Sequence, residues 1–336
     1  MQGIDNGQTF YDSASGRWAG ERFLAALNEG RPITPDELRT LDTLRHEEWI
    51  HFDNVLVEEG QIRLRGIADI MGAGLTIPVP NAMGKTVVQY EKATDMEPAI
   101  LSLDPNVRSK KDRVEFVPGQ IPMPVIHKDF DLNIRTLAAS RTTGEPLDTM
   151  QARVAARLCS ERLEHLLFQG TSNTFGNLPI YGYTTHPDRN TAAFGTNGSW
   201  DEAAKTGENI LDDVLTMKAA LHGDRFYGPY WIYAPADAAT KLDDDFKANS
   251  DKTIKQRIME VDGVQNVQVA DQLPTDHVIM VQATQDVTAL MDGEGLQTIQ
   301  WDINGGMTVA FKAFMIQVPL IRSDVEKRSG LFDMTG

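Results

Sequence analysis

Three stretches of this sequence carry residue types that could do chemistry. His46-Glu47-Glu48-Trp49-Ile50-His51 has the imidazoles and carboxylates of a helical zinc site. That chemistry needs two histidines four residues apart on one helix face, with a glutamate beside them as general base. Here they are five apart, which turns them about 140° from each other around a helix. Stray histidines on a charged helix are the plainer reading. Gly84-Lys85-Thr86 ends like a phosphate-binding loop, but the first glycine of such a loop would fall at Val79. The residues that follow are β-branched, where a phosphate loop would open a helix. A turn into a strand is expected instead. Asp243-Asp244-Asp245 offers carboxylates to a cation but no further ligands at a defined spacing, so it reads as a solvated helix flank.

The other candidates fail similarly. No serine sits in a G-x-S-x-G elbow, no G-x-G-x-x-G occurs, and the seven histidines are scattered. Asn197-Gly198-Ser199 matches a glycosylation sequon that a cytoplasmic chain would not use. The single Cys159 excludes an intramolecular disulfide framework and lies on an apolar helix stripe, where a buried, inert thiol is expected. The expectation is no enzyme, no metal and no cofactor. Catalytic groups can converge from distant positions, so a soluble α/β enzyme with an unrecognised site stays as an alternative.

Charge narrows the partners. The chain carries a formal net charge of −16 over 336 residues, with no Lys/Arg stripe interleaved with aromatics. A protein that grips nucleic acid by its own field should be basic on some face. Enclosing nucleic acid without gripping it remains compatible. No apolar run approaches the ~18 residues of a membrane span. The N-terminal MQGIDNGQTFYDSASG lacks a signal peptide's basic and apolar regions, so a cytoplasmic protein is expected.

The element that must position the rest runs from Gly144 to Gly170, GEPLDTMQARVAARLCSERLEHLLFQG. Asp148 and Gln151 suit a capping box, no Gly or Pro interrupts residues 147–168, and Gly170 stops the run. Such a helix is about 33 Å long at ~1.5 Å per residue. Leu147, Met150, Val154 and Leu158 form one apolar stripe. Ala152, Ala155, Ala156, Cys159, Leu163, Leu166 and Leu167 form a second. Arg153, Arg157, Ser160, Glu161 and Glu164 share the polar face, with Arg157 and Glu161 at ion-pair spacing. Two stripes imply two packing partners, with Leu158 inside and Glu164 outside.

Around it the chain reads in order. Residues 1–17 look like an arm, followed by helices at 18–27 and from the capping box Thr34-Pro35-Asp36-Glu37 to about Phe52. A short strand is expected at 61–65, then a loose stretch over 66–80. Residues 85–121 read as a long two-stranded excursion with too little apolar content for a core of its own. Its polar tip gathers Arg108, Lys110, Lys111 and Arg113. An excursion of this kind should lean on something outside the subunit. A strand at 127–134 leads to the long helix, and a loop over 171–197 follows it. Helices at 210–221, 235–242 and 254–261 alternate with strands at 230–234, 264–269 and 278–281 in an α/β subdomain over 205–293. Strands at 297–301 and 308–318 and a polar tail over 322–336 complete the chain.

Several segments resemble phage major capsid proteins related to encapsulins. They are PMPVIHKDFDLNI at 122–134, the helix ending LEHLLFQG at 170, Ile180-Tyr181-Gly182, Phe226-Tyr227-Gly228-Pro229-Tyr230, SDKTIKQR at 250–257 and Val318-Pro319-Leu320-Ile321-Arg322-Ser323-Asp324. The resemblance spans about residues 86–330 and marks fold positions, not chemistry. It implies an α+β chain with the Hong Kong 97-type capsid fold. Residues 1–84 would be the N-terminal arm and its helices, and 85–121 an extended loop lying over a neighbouring subunit. Residues 122–204 and 294–336 would be the peripheral domain with spine helix 147–168, and 205–293 the axial domain.

The function so implied is that of a major capsid protein, assembled in the host cytoplasm and resident in the virion. Its copies would gather as pentamers and hexamers into an icosahedral shell around double-stranded DNA, held without sequence-specific binding. A portal, and scaffold or decoration proteins, would be further partners, with no membrane. The acidic charge fits a lumen that confines DNA without trapping it. About eighty residues precede the extended loop, more than encapsulins usually carry, which favours a viral capsid. No long coiled-coil segment precedes the fold, so removal of an N-terminal scaffold is not expected. An encapsulin-type shell around a protein cargo is the alternative. The tip cluster Arg108, Lys110, Lys111 and Arg113 is the candidate inter-subunit contact.

Overall fold

The computed structural model describes residues 65–93, 99, 101, 103, 106, 113–133, 150–247, 251–303 and 308–336. The helices expected at 18–27 and 34–52, Leu147 and Asp148 of the long helix, and Arg108, Lys110 and Lys111 of the tip lie outside them. The described elements are α1 (Gly66–Gly72), β1 (Thr76–Pro78), β2 (Val87–Ala93), β3 (Phe116–Pro122), β4 (Ile126–Asn133) and α2 (Met150–Phe168). Then come β5 (Thr171–Phe175), β6 (Leu178–Ile180), β7 (Asn190–Ala193), α3 (Gly207–Gly223), β8 (Tyr230–Pro235), α4 (Ala239–Leu242) and α5 (Ile254–Met259). The last are β9 (Val264–Ala270), β10 (His277–Gln282), β11 (Thr288–Ile303), β12 (Thr308–Ile321) and β13 (Leu331–Thr335). Helices and strands divide among separate sheets, so the class is α+β.

Among the described residues the chain divides into two units. The first takes the residues up to Thr86, Met123–Leu167 and Ala289–Pro319. Its sheet runs β1-β11-β12-β4, with β1 parallel to β11 and β4 antiparallel to β12 from Thr308↔Asn133 to Met315↔Ile126. Phe130 of β4 stacks on Phe311 of β12 at 5.2 Å. The second stripe of α2 is fully buried, from Ala152 to Leu167, and Cys159 Sγ sits 3.9 Å from the Ala313 carbonyl of β12. Each fully buried leucine of this stripe contributes ~1.5–3 kcal/mol.

The polar face of α2 departs from expectation. Met150 is 62% and Leu158 39% exposed, so the first stripe is not a core stripe of this subunit. Met150, Val154 and Ala155 instead line an open groove of about 260 Å³ with Lys128, Asp129 and Phe130. Glu164, expected outside, is buried at 3% exposure. Its carboxylate accepts the backbone N–H groups of Arg65 (3.1 Å), Gly66 (2.7 Å) and Ile67 (3.2 Å). Those are orphan donors at the start of α1, whose N-cap residue, Arg65, makes no side-chain cap bond. A helix therefore stands where the sequence reads as loose, because its cap comes from about a hundred residues away. Arg157 and Glu161 do pair, at 3.7 Å.

The second unit takes Val87–Pro122, Phe168–Thr288 and Leu320–Gly336. Its five-stranded sheet runs β7-β13-β10-β8-β9, with β8/β10 and β10/β13 antiparallel and β8/β9 and β13/β7 parallel. One face packs Val278, Met280, Ile232, Phe332 and Met334 against Ile210, Val214, Met217 and Leu221 of α3 and against Trp200. Thr206 caps α3, and a complete capping box of Thr253 and Gln256 opens α5. Buried Asp213 gathers Lys205 Nζ (2.7 Å), Trp200 Nε1 (3.0 Å) and Gly195 N (3.1 Å), so the charge on that face is paired.

Two strands of this sheet lie outside the 205–293 boundary expected for the axial domain. β7 falls in a stretch read as loop, and β13 in a tail read as polar and assigned to the peripheral domain. Asp333 conceals β13: an aspartate in a five-residue strand reads as solvent-facing, yet it is fully buried. Arg189 Nε at 3.0 Å and His277 Nδ1 at 2.9 Å hold it. Likewise β11 is one strand of sixteen residues, where only 297–301 is legible in the sequence.

Burial pushes the Glu164 carboxyl up from 4.5 to about 7, outweighing the three N–H bonds that lower it. A raised folded pKa stabilises fully below the unfolded value, and that contribution is lost as pH rises through about 7. The pH-dependent part is on the order of 3 kcal/mol. Between about pH 5 and about pH 8, wild type should therefore lose stability that Glu164→Gln does not lose. Urea unfolding of both proteins at the two pH values measures the difference; parallel pH dependence would contradict it.

Candidate functional site

The ribbon of β2 and β3 pairs antiparallel over seven positions, from Val87↔Pro122 to Ala93↔Phe116. Strand periodicity gives it two faces. Val88, Tyr90 and Lys92 are half-buried, whereas Val87, Gln89 and Glu91 between them are exposed. Tyr90 lies across from Gly119, where a Cβ would come 2.5 Å from the tyrosine ring. The aromatic occupies the space a side chain would take, a glycine–aromatic pairing that pins register.

Residues from distant parts of the second unit meet the inner face. The Arg322 guanidinium lies 5.8 Å over the Tyr90 ring. Lys92 Nζ donates to Ser323 Oγ at 2.9 Å, and Ser323 Oγ donates to Asp188 Oδ2 at 2.6 Å. Burial raises the Tyr90 phenol, with Arg322 opposing it. The nearby His186 imidazole is pushed down to about 4 by burial, so it stays neutral at physiological pH. Its Nδ1 accepts the Asp188 backbone N–H at 3.2 Å.

Among the described residues the excursion carries exposed apolar side chains. Of sixteen large apolar side chains exposed among the described residues, six lie on this excursion: Val87, Leu101, Leu103, Val114, Phe116 and Val117. By register Phe116 shares the outer face with Val87, whereas Val117 lies across from Lys92 on the inner face. Of the four cations of the expected tip contact, Arg113 is exposed just before β3; the other three lie outside the described residues. Tyr90, Lys92, Asp188, Arg322 and Ser323 were not singled out from sequence. The one local signal was Tyr90 facing Gly119, and it needed the register to be read.

His46 to His51 lie outside the described residues, and the other chemical candidates resolve as structure. Gly84 ends a short 3-10 turn and Lys85 is extended, leading into β2. Leu242 ends α4, and Asp245 bridges to Thr253. Burial raises the Cys159 thiol to about 11, which removes its nucleophilic form. Among the described residues no three His, Cys, Asp or Glu side chains converge as metal ligands, and no helix is long and apolar enough to cross a membrane.

Comparison with known proteins follows this geometry. Residues 39–332 match the model of DUF6260, a family described as of unknown function. The Type 1 encapsulin shell protein EncA of Myxococcus xanthus is 24% identical over 272 residues, 80% of this chain and 83% of that protein. The crystal structure of a virus-like particle from Pyrococcus furiosus superposes with a TM-score of 0.62 at 15% identity, covering 86% of this chain and 98% of that one. The capsid of Myoviridae Phage XM1 gives 0.63 at 12% identity, covering 81% and 92%. At these identities the likeness is one of fold: the chain has the Hong Kong 97-type capsid fold.

Gly119→Ala should force Tyr90 out of its seat, at about 1–3 kcal/mol. Thermal unfolding should show a lower Tm for Gly119→Ala than for wild type, and in a Tyr90→Ala background the added alanine should cost far less. An equal loss in both backgrounds would mean the two residues are not coupled.

Proposed function

The chain belongs to the DUF6260 family, and we propose that it is a self-assembling shell protein whose copies close into an icosahedral capsid. The carrying observation is the β2–β3 ribbon, whose outer face and far end present apolar side chains that nothing described in its own chain covers. A second copy is the natural cover. The bare apolar groove beside α2 is a matching surface of the same kind. The shell protein and the particles to which the chain is similar support this reading. In it, 85–121 is the extended loop lying over a neighbour and α2 is the spine. The subdomain over 205–293, joined by β7 and β13 of the five-stranded sheet, is the axial domain at the five- and six-fold axes.

Its contents are double-stranded DNA, which makes the chain a major capsid protein of a tailed phage, with a portal as partner and the virion as its location. The eighty or so residues ahead of the ribbon and the net charge of −16 favour that content. A second reading, an encapsulin-type compartment around a protein cargo, is favoured by 24% identity to an encapsulin shell protein over 80% of the chain. Particles purified from the native host and treated with nuclease separate the two. Protected DNA of uniform length is expected; a stoichiometric co-purifying protein without DNA would overturn the phage reading and support the second.

The cluster Arg108, Lys110, Lys111 and Arg113 docks on an acidic surface of the adjacent subunit and helps set capsomer geometry. Each exposed pair is worth only ~0–1 kcal/mol, but many copies act together around a closed shell. Lys110→Glu with Lys111→Glu should leave the circular dichroism spectrum unchanged and slow assembly followed by light scattering. Added salt should weaken wild-type assembly. Wild-type rates for the double variant across a salt series would reduce the cluster to a solvated turn.

A further inference from the structure

We propose that Lys92, Ser323, Asp188, Arg322 and Tyr90 form a lock that fixes the angle at which the β2–β3 ribbon leaves its subunit, and through that angle the size of the shell. The link to size rests on the shell reading above; the lock itself does not.

Two different attachments meet on the inner face of the ribbon. One is a hydrogen-bonded chain, Lys92 Nζ to Ser323 Oγ at 2.9 Å and Ser323 Oγ to Asp188 Oδ2 at 2.6 Å. The carboxylate thus reaches the ammonium through a hydroxyl that is only 6% exposed. Neighbouring charges do not divert it. Arg189 is engaged by Asp333 Oδ2 and the His186 carbonyl, and His186 is neutral. The other attachment is the stack of Arg322 on Tyr90, with Tyr90 seated against Gly119. Arg322 and Ser323 follow directly on β12, and the Arg322 backbone N–H donates to the Val287 carbonyl at 2.8 Å, so their own position is fixed.

The two attachments grip adjacent inward positions of one strand, Tyr90 and Lys92, near its far end. A ribbon held at one such position can pivot; held at two, by bonds of defined direction, it cannot. The last pair of the ribbon is Ala93↔Phe116, so any rotation at the lock moves the exposed Phe116 with it. In a closed shell every copy repeats the same angle, and a small change in it alters curvature throughout.

Ser323→Ala and Lys92→Met, each in the full chain, test this, with circular dichroism as the folding control. Backbone amide exchange over 87–93 and 116–122 should rise about tenfold, the scale of one lost hydrogen bond. Electron microscopy should show several particle diameters, or no closed particles, where wild type shows one. Ser323→Thr keeps the hydroxyl and should keep the wild-type diameter. Wild-type exchange in both variants would overturn the lock, and faster exchange with an unchanged diameter would overturn its control of size. If Ser323→Ala fails to fold, Lys92→Met decides alone, since Lys92 lies on the ribbon and outside the core. Should wild type form no particles, the shell reading fails while amide exchange still decides the lock.

Discussion

A ribbon of two strands can bury at most one of its faces against its own subunit. Among the described residues no third strand joins β2 and β3, and a two-stranded ribbon on its own is marginally stable in water. Here the inner face is fastened by Tyr90, Lys92, Arg322 and Ser323, while the outer face keeps Val87 and Phe116 in solvent. In the proposed shell, another copy of the chain covers that outer face. Within its own unit the ribbon's inner face is met by residues that follow β12 and by the stretch around Asp188.

The rigidity depends on polar groups placed where local sequence would not put them. Glu164 caps α1 from another element, Asp213 gathers a lysine, an indole and a backbone amide, and Asp333 sits between an arginine and a histidine within a strand. Each is a buried carboxyl group with several donors, which offset the cost of burial in part at Glu164 and by ion pairing at Asp213 and Asp333. Together they tie residues far apart in sequence, so each unit holds its shape at positions where apolar packing alone would allow sliding.

Those same groups mark the limit of what the sequence discloses. The long helix and its buried stripe are legible because Ala152 to Leu167 repeat with helical period and Gly170, at φ +68°, stops the run. β8 and β10 are legible as short apolar runs, and the excursion by its polarity. Glu164 and Leu158 were misplaced because periodicity assigns faces by residue type: the carboxylate is drawn inward by orphan N–H donors, and the leucine is left on an open face. β13 was missed because Asp333 interrupts its apolar pattern. The capsid fold was legible through resemblance, whereas the fastening of the ribbon's inner face was not, since Lys92, Asp188 and Ser323 meet only after folding.

The central claim is that copies of this chain cover one another's exposed ribbons and so close a shell. Electron microscopy of the purified full-length chain over a range of concentrations tests it most directly. Closed, rounded particles of uniform diameter, or the rings of five and six from which they are built, are the predicted result. A chain that is folded by circular dichroism yet stays monomeric at every concentration, with no ring or shell in any field, would contradict the account.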